Sequence, residues 1–260
     1  HELIINDVVV NGVFGCVNTY AAGNVVINGG EFYMTGVQGK TSHIVYISGT
    51  TKATINGGTF KKIGDISMSN TGGGGVSTGY ESSAEIVING GSFAGDYRDI
   101  YVWSKNSKIT VAGGTFKFSP TSEGAKIADG FKAEEVNGSF MVVPSTTQVA
   151  ATSDELIEAI KQAEDGATIL VAAGEYALRF TNDTSFNVDT LTIKGLGEVK
   201  LAISSSEVGY GRIQGNDVTF ENINFVNATV GATGKATYNN CTFAGRLECA
   251  SGSAETYAND

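Results

Sequence analysis

The sequence predicts an all-β fold, a right-handed parallel β-helix (solenoid) in two tandem segments, on three observations. A strand-like phrase is written four times, its copies begin 28, 33 and 23 residues apart, and glycine is in large excess. The 260 residues include 35 glycines against 2 prolines, which suits many corners at positive φ and is unlike a proline-rich linker or collagen. With 41% apolar and 17% charged residues, the chain has material for one large or two modest cores.

The phrase reads NVVINGGEF at 24–32, KATINGGTF at 52–60, EIVINGGSF at 85–93 and KITVAGGTF at 108–116. Alternation of period two inside it identifies a strand. Val25, Ala53, Ile86 and Ile109 share one inward column, and Ile27, Ile55, Ile88 and Val111 share a second. Between them Val26, Thr54, Val87 and Thr110 face outward, where β-branched side chains suit a sheet surface. Asn-Gly-Gly makes the corner at 28–30, 56–58 and 89–91. Glycine permits the left-handed turn, and stacked Asn amides bond along a ladder that stops where Ala112 replaces asparagine. Phe32, Phe60, Phe93 and Phe116 then re-enter the core as an aromatic stack. No single copy buries its own apolar face, so neighbouring coils must stack, at roughly 4.8 Å by strand spacing. A β-propeller would need about 40 residues or more per blade. Extra residues can bulge from a corner, so SNTGGGGVSTG at 69–79 is expected to be an exposed, flexible loop.

Near residue 144 the pattern changes, which divides the chain into a repeat segment at 1–143 and a helix-capped second β-helix at 144–260. The one convincing helix lies near 153–164. Thr152 or Ser153 caps it, Asp154 and Glu155 favour its positive end, and Leu156, Ile157, Ile160 and Ala163 share a face before Asp165-Gly166 ends it. A cap is expected because an open solenoid end exposes unpaired strand edges. ATILVAAGEY reads as a buried strand and turn. LTIKGLG at 191–197, VTFENINFVNATV at 218–230 and ATYNNCTFAG at 236–245 resume the strand-and-corner spacing, with Phe225 and Phe243 18 residues apart.

ATILVAAGEY, LTIKGLG, NINFVNAT and YNNCTFAG, in that order, resemble the pectinesterase-like members of the pectate-lyase-like β-helix superfamily over roughly residues 152–245. The stretch GGTFKFSPTSEGAKIADGFKAEEVNGSFMVVP at 113–144 resembles the end of repeat regions in surface proteins of gut bacteria and their phages. These resemblances imply the fold and a surface setting, but no activity. After CTFAG the chain continues RLECASGS, where that family carries a Gln-Asp-Thr-Leu-Tyr run with its acid and ligand residues. The Gly-His-Gly of polygalacturonase-like enzymes is absent too, since His1 and His43 do not lie between glycines.

A formal net charge of −10 and only 17 scattered basic residues argue against nucleic acid or an anionic membrane as partner. No run of 18 apolar residues predicts membrane insertion. HELIINDVVVNG already reads as strand and corner, as expected of a chain that begins inside a longer or processed protein. Cys16, Cys241 and Cys249 form neither a disulfide framework nor a zinc spacing and read as small buried side chains. No Walker-type loop or calcium nonapeptide occurs, so no cofactor and no metal ligand is assigned. In SHIVYIS, His43 reads as one more strand position alternating with Val45 and Ile47. Asn-x-Ser/Thr triplets at Asn137, Asn182, Asn227 and Asn240 arise by chance in Asn- and Thr-rich corners.

Candidate binding residues follow the third copy of the phrase, in GDYRDIYVW at 95–103. Asp96, Arg98 and Asp99 follow a corner and are placed to meet an acidic or neutral sugar, or else form a solvated surface Arg–Asp pair. Pointing Ile100 and Val102 inward puts Tyr101 and Trp103 on the outer face, as a sugar platform or a contact covered by a neighbouring loop or subunit. Tyr33, Tyr46, Tyr80 and Tyr97 extend that surface. No catalytic residue is assigned. The expected function is therefore that of a non-catalytic structural or adhesive protein of an extracellular or virion surface: a phage fibre, spike or decoration protein, or a bacterial surface adhesin. Its expected partners are a surface glycan or receptor, virion or cell-envelope proteins, or further copies in a trimer. The alternatives are a polysaccharide-active lyase or hydrolase at Asp96, Arg98 and Asp99, and a carbohydrate-binding module using Tyr101 and Trp103.

Overall fold

The structure, a computed structural model, describes residues 1–65, 74–179, 185–186, 188–204, 210–213, 216–226, 229–232, 234–249 and 256–257. It contains two compact units, His1–Ser145 and Thr146–Asp260, each a stack of parallel coils forming a β-solenoid.

In the first unit the four phrases lie side by side. Asn24–Ile27, Lys52–Ile55, Glu85–Ile88 and Lys108–Val111 pair in parallel, with Val25, Ala53, Ile86 and Ile109 in one register column and Ile27, Ile55, Ile88 and Val111 in the next. Glu2–Ile5 precedes them and Lys126–Ile127 follows, completing a six-stranded first sheet. Both inward columns are at most 3% exposed. The alternation read from the sequence thus sets the buried face.

Past each corner, Glu31–Met34, Thr59–Lys62, Ser92–Ala94 and Gly114–Phe116 build the second sheet. Phe32, Phe60, Phe93 and Phe116 form a continuous stack, with successive centroids 4.8 Å apart and planes inclined by 4°, 3° and 6°. That spacing is the strand repeat itself, at the short end of the roughly 4.5–7 Å range of favourable aromatic pairs. The corners before these strands need glycine. Gly58, Gly91 and Gly114 have φ of 111°, 112° and 109°. A Cβ on each would lie 3.0 Å from the carbonyl oxygen of the corner glycine one coil earlier. Beside them each Asn side chain donates Nδ2–H to the Oδ1 of the preceding one: Asn28 to Asn6 (2.8 Å), Asn56 to Asn28 (2.7 Å) and Asn89 to Asn56 (2.9 Å). The ladder starts one coil earlier than the repeat alone suggests, at Asn6.

The third sheet holds Val17–Thr19, His43–Ile47, Gly74–Thr78 and Ile100–Tyr101 in that order. Here the glycine-rich interval departs from expectation. Residues 69–73 lie outside the described residues, but Gly74–Thr78 is a fully buried strand and not an exposed loop. The reason is close approach of coils: a Cβ on Gly75 would sit 2.5 Å from the Asp99 carbonyl oxygen. Another departure from all-parallel stacking is an antiparallel hairpin, Phe131–Val136 with Ser139–Pro144. Its second strand pairs antiparallel with Gly114–Phe116. Asn137 and Gly138 turn it at φ 52° and 74°, as a two-residue primed turn requires. The hairpin covers the second sheet beyond the last phrase, which answers the open-edge problem locally.

The second unit begins with Gln148–Ala150 and the helix α1, Ser153–Gln162. Thr152 is its N-cap: Oγ1 accepts from the Glu155 N–H at 3.2 Å, while Glu155 Oε2 accepts from the Ala151 N–H at 2.7 Å. Leu156, Ala159 and Ile160 bury the apolar face in a core that includes Ala150, Ile169 and Tyr176. Ala167–Arg179, Thr190–Ser204, Asp217–Phe225 and Lys235–Asn239 then stack in parallel. Phe225 and Phe243 stack at 5.0 Å and 2°. Asn240 donates to Asn222 at 2.7 Å, repeating the asparagine ladder, with φ of 49° and 55°. Cys16 and Cys241 are half-buried, each S–H turned to a backbone carbonyl, while the Cys249 side chain lies outside the described residues, as do Asn182 and Asn227.

Removing one ring from the stack should be costly. Phe93→Ala is expected to destabilise the protein by about 3–5 kcal/mol in urea unfolding, because Phe60 and Phe116 lose their shared partner. Val87→Thr on the outer face of the first sheet should stay within about 0.5 kcal/mol.

Candidate functional site

The third sheet differs from the other two in what it turns outward. Asn18 pairs in register with Tyr46, Tyr46 with Ser77, and Ser77 with Tyr101. Large rings thus flank a row whose members, Gly74, Gly75 and Ser77, are small. His43 takes up a place among those rings: its imidazole lies 5.6 Å from Tyr46, 6.5 Å from Tyr101 and 6.2 Å from Trp103, centroid to centroid. Tyr101 contacts Trp103 at 5.9 Å, Trp103 contacts Tyr80 at 5.8 Å and Tyr20 contacts Tyr46 at 5.9 Å. One aromatic face therefore joins Tyr20, His43, Tyr46, Tyr80, Tyr101 and Trp103.

The expected inward and outward assignment of 100–103 holds: Ile100 is buried, Val102 packs on the core, Tyr101 is half-buried and Trp103 is 37% exposed. The Trp103 N–H donates to Thr78 Oγ1 at 3.0 Å. A buried serine cluster fastens the corners carrying Tyr80 and Trp103. Ser104 Oγ donates to the Ser82 carbonyl at 2.6 Å, Ser82 Oγ donates to the Gly79 carbonyl at 2.7 Å, and the Ser82 and Ser107 hydroxyls lie 2.8 Å apart.

Asp96, Arg98 and Asp99 do not form the sugar-facing trio that their spacing suggests. Asp99 is 1% exposed, and its two oxygens accept from the Gly95 N–H at 2.6 Å and the Phe118 N–H at 2.7 Å. Burial raises its carboxyl above the ordinary range, against the pull of these backbone donors. Arg98 pairs with Glu123 at 3.0 Å, and its guanidinium carbon lies 4.5 Å from the Tyr101 ring centroid. Asp96 is half-buried and Tyr97 is exposed at the same corner. Tyr33 sits apart on the second sheet, donating to Glu31 at 3.1 Å. The glycines explain Asp99: with no side chain at Gly75 and Gly95 the coils approach closely, and the carboxylate folds in to serve backbone donors.

His43 is a strand position as expected, the first of His43–Ile47, but its surroundings differ from those of Val45 and Ile47. It is 5% exposed and lies among rings, whereas Val45 and Ile47 face the core. Burial, and then the nearby Arg98 charge, lower its pKa from the ordinary 6.5 to about 4. Phe14, Tyr20, Tyr46 and Trp103 wall a cleft of about 320 Å³ beside it, to which Asn18, Thr41, Ser42 and His43 bring polar groups. The buried Ser42 Oγ and both His43 ring nitrogens have no hydrogen-bond partner among the described residues. Sequence reasoning missed Tyr20, Ser42 and His43. Only register could have found them, because they lie two and three strands away from Trp103 in the sheet.

Among the described residues, no group of three or more His, Cys, Asp or Glu side chains could hold a metal ion, and no helix is long and apolar enough to cross a membrane. No protein-family model, curated protein or solved structure matches the chain.

Two stability predictions follow from these burials. Because the folded-state pKa of His43 is depressed, the unfolded chain takes up its proton first on acidification. Stability should then fall as pH drops from 6.5 to about 4, by about 2–3 kcal/mol. Urea midpoints across that range should lose this component of the slope in His43→Phe. Asp99→Ala strands the Gly95 and Phe118 N–H groups and should cost about 2–4 kcal/mol in urea unfolding at neutral pH.

Proposed function

We propose that this chain is a non-catalytic structural and adhesive β-helical protein of an extracellular or virion surface, which contacts glycans or a surface receptor through the aromatic face of its third sheet. The observation that carries the reading is that face. The first unit's interior is already filled by its aliphatic columns and phenylalanine stack, so Tyr20, Tyr80 and Trp103, at 77%, 63% and 37% exposure, serve no core. Exposed, connected aromatic rings on a rigid scaffold suit the apolar face of a sugar or a protein contact. Stacked coils joined by strand hydrogen bonds supply the stiffness that a fibre, spike or stalk needs.

The likeness of residues 152–245 to pectinesterase-like β-helices, and of 113–144 to bacterial and phage surface repeats, supports membership of the pectate-lyase-like superfamily and a surface location. Binding is favoured over chemistry at 96–99 by the ties of Asp99 to backbone donors and of Arg98 to Glu123. A cleaving enzyme there would need a carboxylate free to move protons. Association of copies into a trimer remains part of the proposal, to be read by light scattering.

Affinity electrophoresis through gels containing a panel of plant, bacterial and host polysaccharides tests the reading, with reducing-end release and unsaturated-product absorbance followed in parallel. Retardation by at least one polysaccharide, abolished in Trp103→Ala/Tyr80→Ala and unaccompanied by product, is the expected result. Turnover would remove the non-catalytic assignment. Equal retardation of the double variant would remove the aromatic contact.

A further inference from the structure

We infer that the cleft beside His43 is a subsite for a single uncharged pyranose ring, whose C–H face lies on the Tyr20 and Trp103 rings and whose hydroxyls bond Ser42 and His43. This rests on the glycan-contact reading above and adds to it the ligand's class and the residues that select it.

Size sets the first limit. A cleft of about 320 Å³ lies at the lower end of the roughly 300–1,000 Å³ typical of small-molecule sites, so it admits one sugar ring and not a run of them. Its walls set the second. Phe14, Tyr20, Tyr46 and Trp103 offer flat apolar faces, and the polar groups among them are hydroxyl, amide and imidazole. Among the described residues, no Lys, Arg, Asp or Glu lines it.

The decisive feature is what the floor lacks. Buried polar atoms are nearly always hydrogen-bonded, and each exception asks for an explanation. Three such atoms belong to two consecutive residues that line the cleft: Ser42 Oγ and the two ring nitrogens of His43, in residues 2% and 5% exposed. A neutral imidazole presents one donor and one acceptor, and a serine hydroxyl does both. A sugar hydroxyl is likewise donor and acceptor, so a pair of them on one ring can satisfy both side chains at once. An anionic sugar fits worse, because among the described residues no cation lines the cleft, the Arg98 guanidinium near His43 is paired with Glu123, and the chain's formal net charge is −10. A cationic ligand would find no carboxylate among the described lining residues.

The orphaned atoms lie beneath the cleft surface, with the Trp103 indole inclined at 52° to the imidazole. In the proposed complex the indole swings aside on its own side-chain torsions, uncovers the imidazole edge and closes on the sugar. Trp103 is the one tryptophan in the chain and His43 one of two histidines, so both side chains can be observed directly.

The test titrates the full chain with methyl β-glucoside, methyl β-galactoside, methyl α-mannoside and sodium galacturonate, following tryptophan fluorescence and the ¹⁵N shifts of the His43 ring. At least one neutral glycoside should give a saturable change in both signals, with galacturonate about tenfold weaker or worse. Ser42→Ala should weaken binding roughly five- to tenfold. The titration of the unaltered chain decides the matter even where that variant fails to fold. A silent His43 ring under all neutral glycosides, or galacturonate binding equally well, overturns the inference. If polysaccharide gels still retard the protein while His43 stays silent, the subsite falls and the wider glycan contact stands. If no gel retards it and no glycoside binds, both fall.

Discussion

Parallel strand pairing at a single repeat distance constrains everything else in the first unit. Once each coil hydrogen-bonds to the next, like positions of successive phrases must lie one strand spacing apart, roughly 4.8 Å. Any side chain in a phrase then has its own counterpart as its neighbour. Phenylalanine tolerates this by stacking at 4.8 Å, and asparagine by passing an amide hydrogen bond from coil to coil. Glycine at the corner tolerates it by having no Cβ to press on the carbonyl before it. A charged residue in an inward column would instead meet its own kind along the stack, which is why these columns are aliphatic or aromatic.

Repetition solves the interior of a solenoid but not its ends, and each unit carries a local answer. In the first, an Asn-Gly turn folds two strands antiparallel onto the edge left by Gly114–Phe116. In the second, a capped amphipathic helix lays Leu156, Ala159 and Ile160 against the first coils. Both devices use chemistry that the repeat does not contain: a primed turn in one case, a Thr152–Glu155 cap in the other.

The third sheet is where the repeat gives way to individuality. Its strands fall in the variable intervals between phrases, so their residues need not match their neighbours. Small residues at Gly74, Gly75 and Ser77 let Asp99 turn inward and let a histidine lie among tyrosines. Placing Ser42 and His43 in that wall, with no hydrogen-bond partner for the Ser42 hydroxyl or the imidazole nitrogens among the described residues, is a cost that a purely structural strand would have avoided by using Ala or Val. The same sheet carries the exposed rings, so the least regular part of the solenoid is also its most chemically specific part.

The first two sheets were legible in the sequence because their signal is local. A nine-residue phrase states its own alternation, its corner and its aromatic return, and four copies state that these must stack. The same rule, applied at 100–103, put Ile100 inward and Trp103 outward. It failed for Asp99, which alternation leaves at the surface and which close coil approach draws in. It also could not see Tyr20, Ser42 and His43 beside Trp103, since the intervals that hold them differ in length and share no phrase. By itself the sequence determined the unit that repeats. Which side chains from different coils share one cleft was decided only when strand pairing fixed the register across intervals of unequal length.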